Sequence, residues 1–102
     1  MVTEIADITV TPGSADQFAA AFHRGAVHLA GAAGFRGARL TRSVESPERF
    51  VLLVEWDTLT DHTEGFRSSP AFQSWRAEVG GFFAGPPTVE HLREVAHTTA
   101  PG

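Results

Sequence analysis

The distribution of apolar and polar residues divides the chain into short periodic blocks. Val2 to Val10 alternates loosely and is rich in β-branched residues, which predicts a first strand ended by Thr11-Pro12-Gly13. Ser14 and Gln17 have capping-box spacing, and Phe18, Phe22, Gly25 and Leu29 recur at helical intervals, predicting a first helix from about Ser14 to Ala30. After the breaker Gly31 to Gly34, Phe35 to Glu45 reads as a second strand. Ser46-Pro47-Glu48-Arg49 reads as a turn and Phe50 to Trp56 as a third strand, so that the two strands form a hairpin.

The second half is helical until near its end. Asp57 or Thr58 is a candidate cap for a short helix with Leu59, His62, Thr63 and Phe66 on one face. Ser68-Ser69-Pro70 restarts the helix, and Phe72, Trp75, Arg76 and Val79 follow at i, i+3, i+4 and i+7. Gly80-Gly81 and Gly85-Pro86-Pro87 break it. Val89 to Ala96 is then a last strand, and His97 to Gly102 a flexible tail, giving one domain over residues 1–96 and a tail over 97–102.

The order strand, helix, strand, strand, helix pair, strand predicts an α+β fold of ferredoxin-like βαββαβ type, an antiparallel sheet with helices on one face. The third strand adds a constraint. Phe50-Val51-Leu52-Leu53-Val54 is apolar on both alternating faces, whereas a sheet with one face in water should alternate. Helices cover one face only, so a second copy stacked sheet on sheet, as a homodimer, is expected to cover the other.

Composition mainly removes possibilities. At 102 residues, 42% apolar and 20% charged, the chain fits one ordinary globular domain. It has no cysteine, so thiol catalysis and cysteine metal sites are excluded. The net charge of -4 argues against a nucleic-acid partner. All 8 basic residues are Arg and there is no Tyr, which removes lysine Schiff-base and tyrosine acid chemistry. No apolar segment approaches the roughly 20 residues of a membrane span and the N-terminal residues lack a signal-peptide pattern, so a cytoplasmic location without membrane contact is expected.

Three residues occupy positions that invite chemistry. Arg76 shares a helical stripe with Phe72, Trp75 and Val79, where a cation needs an anion or acceptors; a ligand anion, Glu55 or Glu78 would serve, as would extension of the side chain to the rim. His62 lies with Leu59 and Phe66, either as a satisfied core histidine or as an acid or base near neutral pH. Trp56 shares the parity of Phe50, Leu52 and Val54, a core aromatic with an N–H to place. No metal site is expected: His23 and His28 fall on different helix faces, Glu90 and His91 on opposite strand faces, and no HExxH occurs. Arg36, Arg39, Arg42 and Arg49 read as solvated or paired with Glu45 and Glu48, and the glycines match no nucleotide loop.

The run from Phe50 to Trp75, with its apolar strand ending in Trp56, its acidic helix and its Ser69-Pro70-x-Phe72, resembles the antibiotic biosynthesis monooxygenase family, as does Gly85 to His91. The resemblance implies ferredoxin-like dimers with a sheet-on-sheet α+β barrel. It also implies a cofactor-independent monooxygenase acting with O2 on an aromatic polyketide-type molecule such as an anthrone or quinol. In the anthrone-oxidising branch a Trp ending the third strand and an Arg in the last helix line the pocket, which carries over to Trp56 and Arg76. An Asn and a Tyr of that branch fall at Leu52 and His62. The haem-degrading branch matches less well, because its Trp, Asn and ligating His fall at Gly65, near Ala6 and at Trp75 or Arg76. The mechanism so implied places a phenolic substrate among Phe22, Leu52, Phe66, Phe72 and Trp56, with Arg76 stabilising its anion and His62 moving the proton, and needs no cofactor. A non-catalytic dimeric ligand-binding or stress-related domain, and a polyketide cyclase using His62 without oxygen, remain open alternatives.

Overall fold

A computed structural model describes all 102 residues. Strand β1 spans Val2–Thr9, helix α1 Ala15–Ala30, β2 Phe35–Arg42, β3 Arg49–Trp56, α2 Pro70–Val79 and β4 Thr88–Leu92. A π-helical turn, Asp61–Phe66, precedes α2, and a 3-10 turn, Gly80–Phe82, follows it. The strands form one antiparallel sheet in the order β2-β3-β1-β4. This is the expected ferredoxin-like α+β fold. No helix is long and apolar enough to cross a membrane.

One face of the sheet carries the core. Val2, Ala6 and Ile8 of β1 and Phe50, Leu52, Val54 and Trp56 of β3 are buried on it, together with Glu4. The alternate residues Ile5, Val51 and Leu53 are half-buried on the other face. Ile5 stands opposite Leu53 in the β1–β3 register, so the apolar character of that face is continuous between the two central strands.

The helices pack over the core face through aromatic contacts. Phe18 of α1 meets Phe50 edge to face at 4.9 Å. Trp75 of α2 packs against Phe22, with ring centroids 5.6 Å apart, and lies so near α1 that a Cβ on Gly25 would come within 3.1 Å of its ring. The start of α2 follows its sequence signals: Pro70 occupies the first turn, and the Ser69 hydroxyl accepts from the Phe72 N–H at 3.2 Å.

Several local expectations are corrected. Ser14 precedes α1 without capping it; its hydroxyl donates instead to the Thr11 carbonyl at 2.6 Å. Strand β2 stops at Arg42, and β4 stops at Leu92 instead of running to Ala96, leaving Val95 exposed and residues 93–102 without regular structure. Leu59 is 42% exposed and does not share the buried face of His62 and Phe66: it precedes the π-helical turn, whose i→i+5 winding rotates each residue through a smaller angle than the α-helix assumed for the segment and so breaks the i, i+3 alignment. The hairpin arginines pair elsewhere than with Glu45 or Glu48: Arg36 with Asp57, and Arg49 with Asp7.

Candidate functional site

A cleft of about 590 Å³ opens between the β1–β4 side of the sheet and α2, a size suited to a small organic molecule. The sheet contributes Glu4, Ala6, Ile8, Leu52 and Val89 to its wall. His62 and Arg67 come from the π-helical turn and the residue after it, Phe72, Trp75 and Arg76 from α2, and Phe83 with Gly85-Pro86-Pro87 from the segment leading into β4.

The polar centre of the cleft is built by strand parity. Glu4 faces inward with Val2, Ala6 and Ile8, and pairs across the sheet with Val54 on one side and His91 on the other. In an antiparallel pair, opposed residues share a face, so β4 delivers His91 beside Glu4. The π-helical turn lowers His62 onto the same spot, stacked on the Trp56 indole at 5.3 Å and 18°. The Trp56 indole N–H donates to Glu4 Oε1 at 3.0 Å. His62 Nε2 lies 3.3 Å from the same oxygen, and His62 Nδ1 lies 2.8 Å from His91 Nε2.

Burial sets the protonation of this group. It raises the Glu4 carboxyl above the ordinary range, against the lowering pull of the Trp56 N–H and of Arg67. The same burial, with Arg67 and His91 nearby, pushes His62 down to about 4, so its ring is neutral at pH 7. His91 is lowered as well, by burial and by Arg67.

Two cations face the cleft without a carboxylate partner. Glu78 is taken by Arg24 at 3.2 Å and Glu55 by the Thr3 hydroxyl at 2.8 Å, so neither neutralises Arg76. The Arg76 side chain is exposed to the cleft and stacks instead over Phe83, at 5.3 Å, and Phe72, at 6.0 Å. Arg67 also forms no ion pair; Glu4, the carboxylate it influences, is hydrogen-bonded to Trp56.

Of the residues singled out from sequence, the structure brings Leu52, His62, Phe72 and Arg76 to the cleft wall. Trp56 has no exposed surface and reaches the cleft only through Glu4 and His62. Phe22 and Phe66 stand off the wall. Phe22 packs on Trp75, and Phe66 forms a buried layer between Trp56 and Phe72, with ring centroids at 5.7 and 5.5 Å. Glu4, Arg67 and His91 were missed. Glu4 shares the parity of the apolar residues of β1, a signal visible in the sequence; His91, 29 residues from His62, is brought to it only by the sheet.

A ferredoxin-like sheet whose core face opens into an aromatic cleft with acid–base groups defines a small-molecule site on an α+β scaffold. The profile of the antibiotic biosynthesis monooxygenase family matches residues 1–78, and the chain belongs to that family. It is 40% identical over 95 residues to the uncharacterized protein YczJ of Bacillus subtilis strain 168, covering 93% of this chain and all of that one. A Bordetella bronchiseptica structure named for the same family is 41% identical, with a TM-score of 0.91 over 93% of this chain and 97% of that one. SnoaB of Streptomyces nogalater, a cofactor-independent oxygenase solved as a mutant, shares the fold at a TM-score of 0.72 and 24% identity, covering 99% of this chain and 97% of that one.

Proposed function

We propose that the protein is a cofactor-independent monooxygenase that oxidises an electron-rich aromatic molecule of anthrone or quinol type with O2, working as a homodimer. The observation that carries this reading is Arg76, a cation on an aromatic wall with no carboxylate to neutralise it, facing the acid–base cluster of Glu4 and His62 across one cleft. A ring system fits between Phe72, Phe83 and Leu52, and loss of its acidic proton leaves an anion that Arg76 and Arg67 stabilise more than the neutral form.

Such an anion is itself the reductant. Its carbon gives electrons to O2, a C–O bond forms, and the peroxide takes up a proton. Loss of water, with cleavage of the O–O bond and the remaining C–H bond, leaves the ketone. Anthrone and O2 thereby give anthraquinone and water. The half-buried Ile5, Val51 and Leu53 support the dimer, because a second sheet laid on this face would withdraw them from water.

The test is oxygen uptake by purified protein with anthrone and with hydroquinones, before and after treatment with chelator. Uptake that survives the chelator and falls on Arg76→Ala supports the reading. Absence of uptake in the native protein refutes it in favour of an oxygen-free cyclase or a binding domain.

A further inference from the structure

We propose that Glu4 is a catalytic residue of this cleft, taking the proton of the ligand on Oε2, and that Trp56 and His62 are positioning residues that hold it for that step. The proposal deepens the reading of the cleft as a site for a weakly acidic aromatic substrate and rests on it.

The two carboxyl oxygens of Glu4 differ. Oε1 accepts from Trp56 at 3.0 Å and faces His62 Nε2 at 3.3 Å. Oε2 has no protein partner. No side-chain nitrogen or oxygen sealed from solvent lacks a hydrogen bond, so Oε2 must open onto the cleft that Glu4 lines. One oxygen is anchored and the other is free to react.

The histidine pair argues against His62 in the same role. A proton on His62 Nε2 lies beside Glu4 Oε1, 3.3 Å from the nitrogen, and the single lone pair left on Nδ1 then accepts from His91 Nε2 at 2.8 Å. In that tautomer His62 has no lone pair for a ligand. Burial, which strengthens Glu4 as a base, weakens His62 as one.

The charged and titratable groups around Glu4 are His62 and Arg67 from the π-helical turn and its end, His91 from β4 and, on the facing wall, Arg76 of α2; Trp56 is the polar neighbour from β3. In the transfer, a C–H or O–H bond of the ligand breaks and an O–H bond forms at Oε2. The electron pair stays on the ligand as an enolate or phenolate. Negative charge thus passes from Glu4 to a ligand facing Arg67 and Arg76. The substrate class is a fused-ring ketone or phenol that enters neutral.

The experiment follows exchange of the methylene protons of anthrone in deuterated buffer under argon, by proton NMR. Native protein is expected to accelerate exchange, and Glu4→Gln to lower that acceleration on the order of 100-fold while its near-ultraviolet circular dichroism stays native. His62→Gln, whose amide N–H can take the place of the ring beside Oε1, is expected to retain most of it. Exchange unaffected by Glu4→Gln, or lost in His62→Gln alone, overturns the proposal. Because oxygen is absent, native exchange without oxygen uptake in air removes the monooxygenase reading and leaves Glu4 standing. Should Glu4→Gln not fold, the carbon-13 carboxyl resonance of Glu4 in the native chain decides. It is expected to shift with 1-naphthol, whose O–H can donate to Oε2, and not with 1-methoxynaphthalene, which has no proton to give; no response to 1-naphthol overturns the proposal.

Discussion

The indole N–H of Trp56 is committed to Glu4 Oε1, 3.0 Å away across the β1–β3 pair. Trp56→Phe keeps most of the ring and removes the donor. The expected cost is about 1 to 3 kcal/mol, from the lost hydrogen bond to the carboxyl and the space the smaller ring leaves. The Glu4 carboxyl should also rise further, since the bond now pulls it down. Urea unfolding and the carboxyl carbon-13 titration measure the two effects separately.

Acid should act on Glu4 and His62 in opposite directions. His62 titrates at about 4 in the folded chain against 6.5 ordinarily, so the unfolded chain binds more protons between those values. Folding stability is therefore full above pH 6.5 and declines as pH falls toward 4, by on the order of 3 kcal/mol from this group. Glu4, raised from 4.5, favours the folded state as pH falls through its own window. Unfolding free energies from pH 7 to 4 should fall less steeply in His62→Gln and more steeply in Glu4→Gln.

Arg76 is expected to separate ligand binding from stability. Its side chain is exposed and has no carboxylate partner, so Arg76→Gln should change the unfolding free energy by no more than about 1 kcal/mol, the loss of its stacking on Phe83 and Phe72. Affinity for 1-naphthol should fall about tenfold above the pH where it ionises, the loss of one charge-assisted contact. Fluorescence titration alongside urea melts checks both. Equal affinity in the variant would place the anion elsewhere.

Gly34 packs against Asp61, the residue before His62. Its φ is +80°, and a Cβ there would collide with the Asp61 carboxyl, whose Oδ2 accepts from the Thr58 N–H at 3.2 Å at the start of the turn carrying His62. Gly34→Ala should cost about 1 to 3 kcal/mol from the backbone conformation alone. It should also disturb the His62 ring, read as a shifted imidazole resonance, whereas Gly13→Ala, at φ +81° with no neighbour within 4 Å, should show only the backbone cost.

The proposed dimer predicts a specific weakness. Leu53 stands opposite Ile5 and Arg39 on the half-buried outer face. Leu53→Arg adds a charge there, which a buried interface would not tolerate unpaired. Analytical ultracentrifugation should show a dimer in the native chain and a monomer in the variant. A native monomer would remove the dimer from the functional reading.

What the sequence disclosed depended on the range of the interaction involved. Proline and serine at the start of α2 act within one turn, and their signal was legible because its cause is local. The hairpin of β2 and β3 was legible from alternation and a turn. The ferredoxin-like order followed from counting elements. The cluster around Glu4 was not legible: Glu4 shares the parity of Val2, Ala6 and Ile8, but only pairing with β3 and β4 brings it beside Trp56 and His91. His62 was placed inward correctly, yet the α-helical spacing assumed for its segment put Leu59 there too, and a π-helical turn does not. The free guanidinium of Arg76 depends on where Glu55 and Glu78 find their partners, which no local pattern encodes.

The inward set on β1 has one further consequence. Glu4 moves with Val2, Ala6 and Ile8, and sliding the strand by one residue would turn Thr3, Ile5 and Asp7 into the core instead. Its carboxyl therefore has a fixed address between Val54 and His91, set by the register of β1 against β3 and β4. Replacing the residue at position 4 would change what stands between Val54 and His91 without moving the strand.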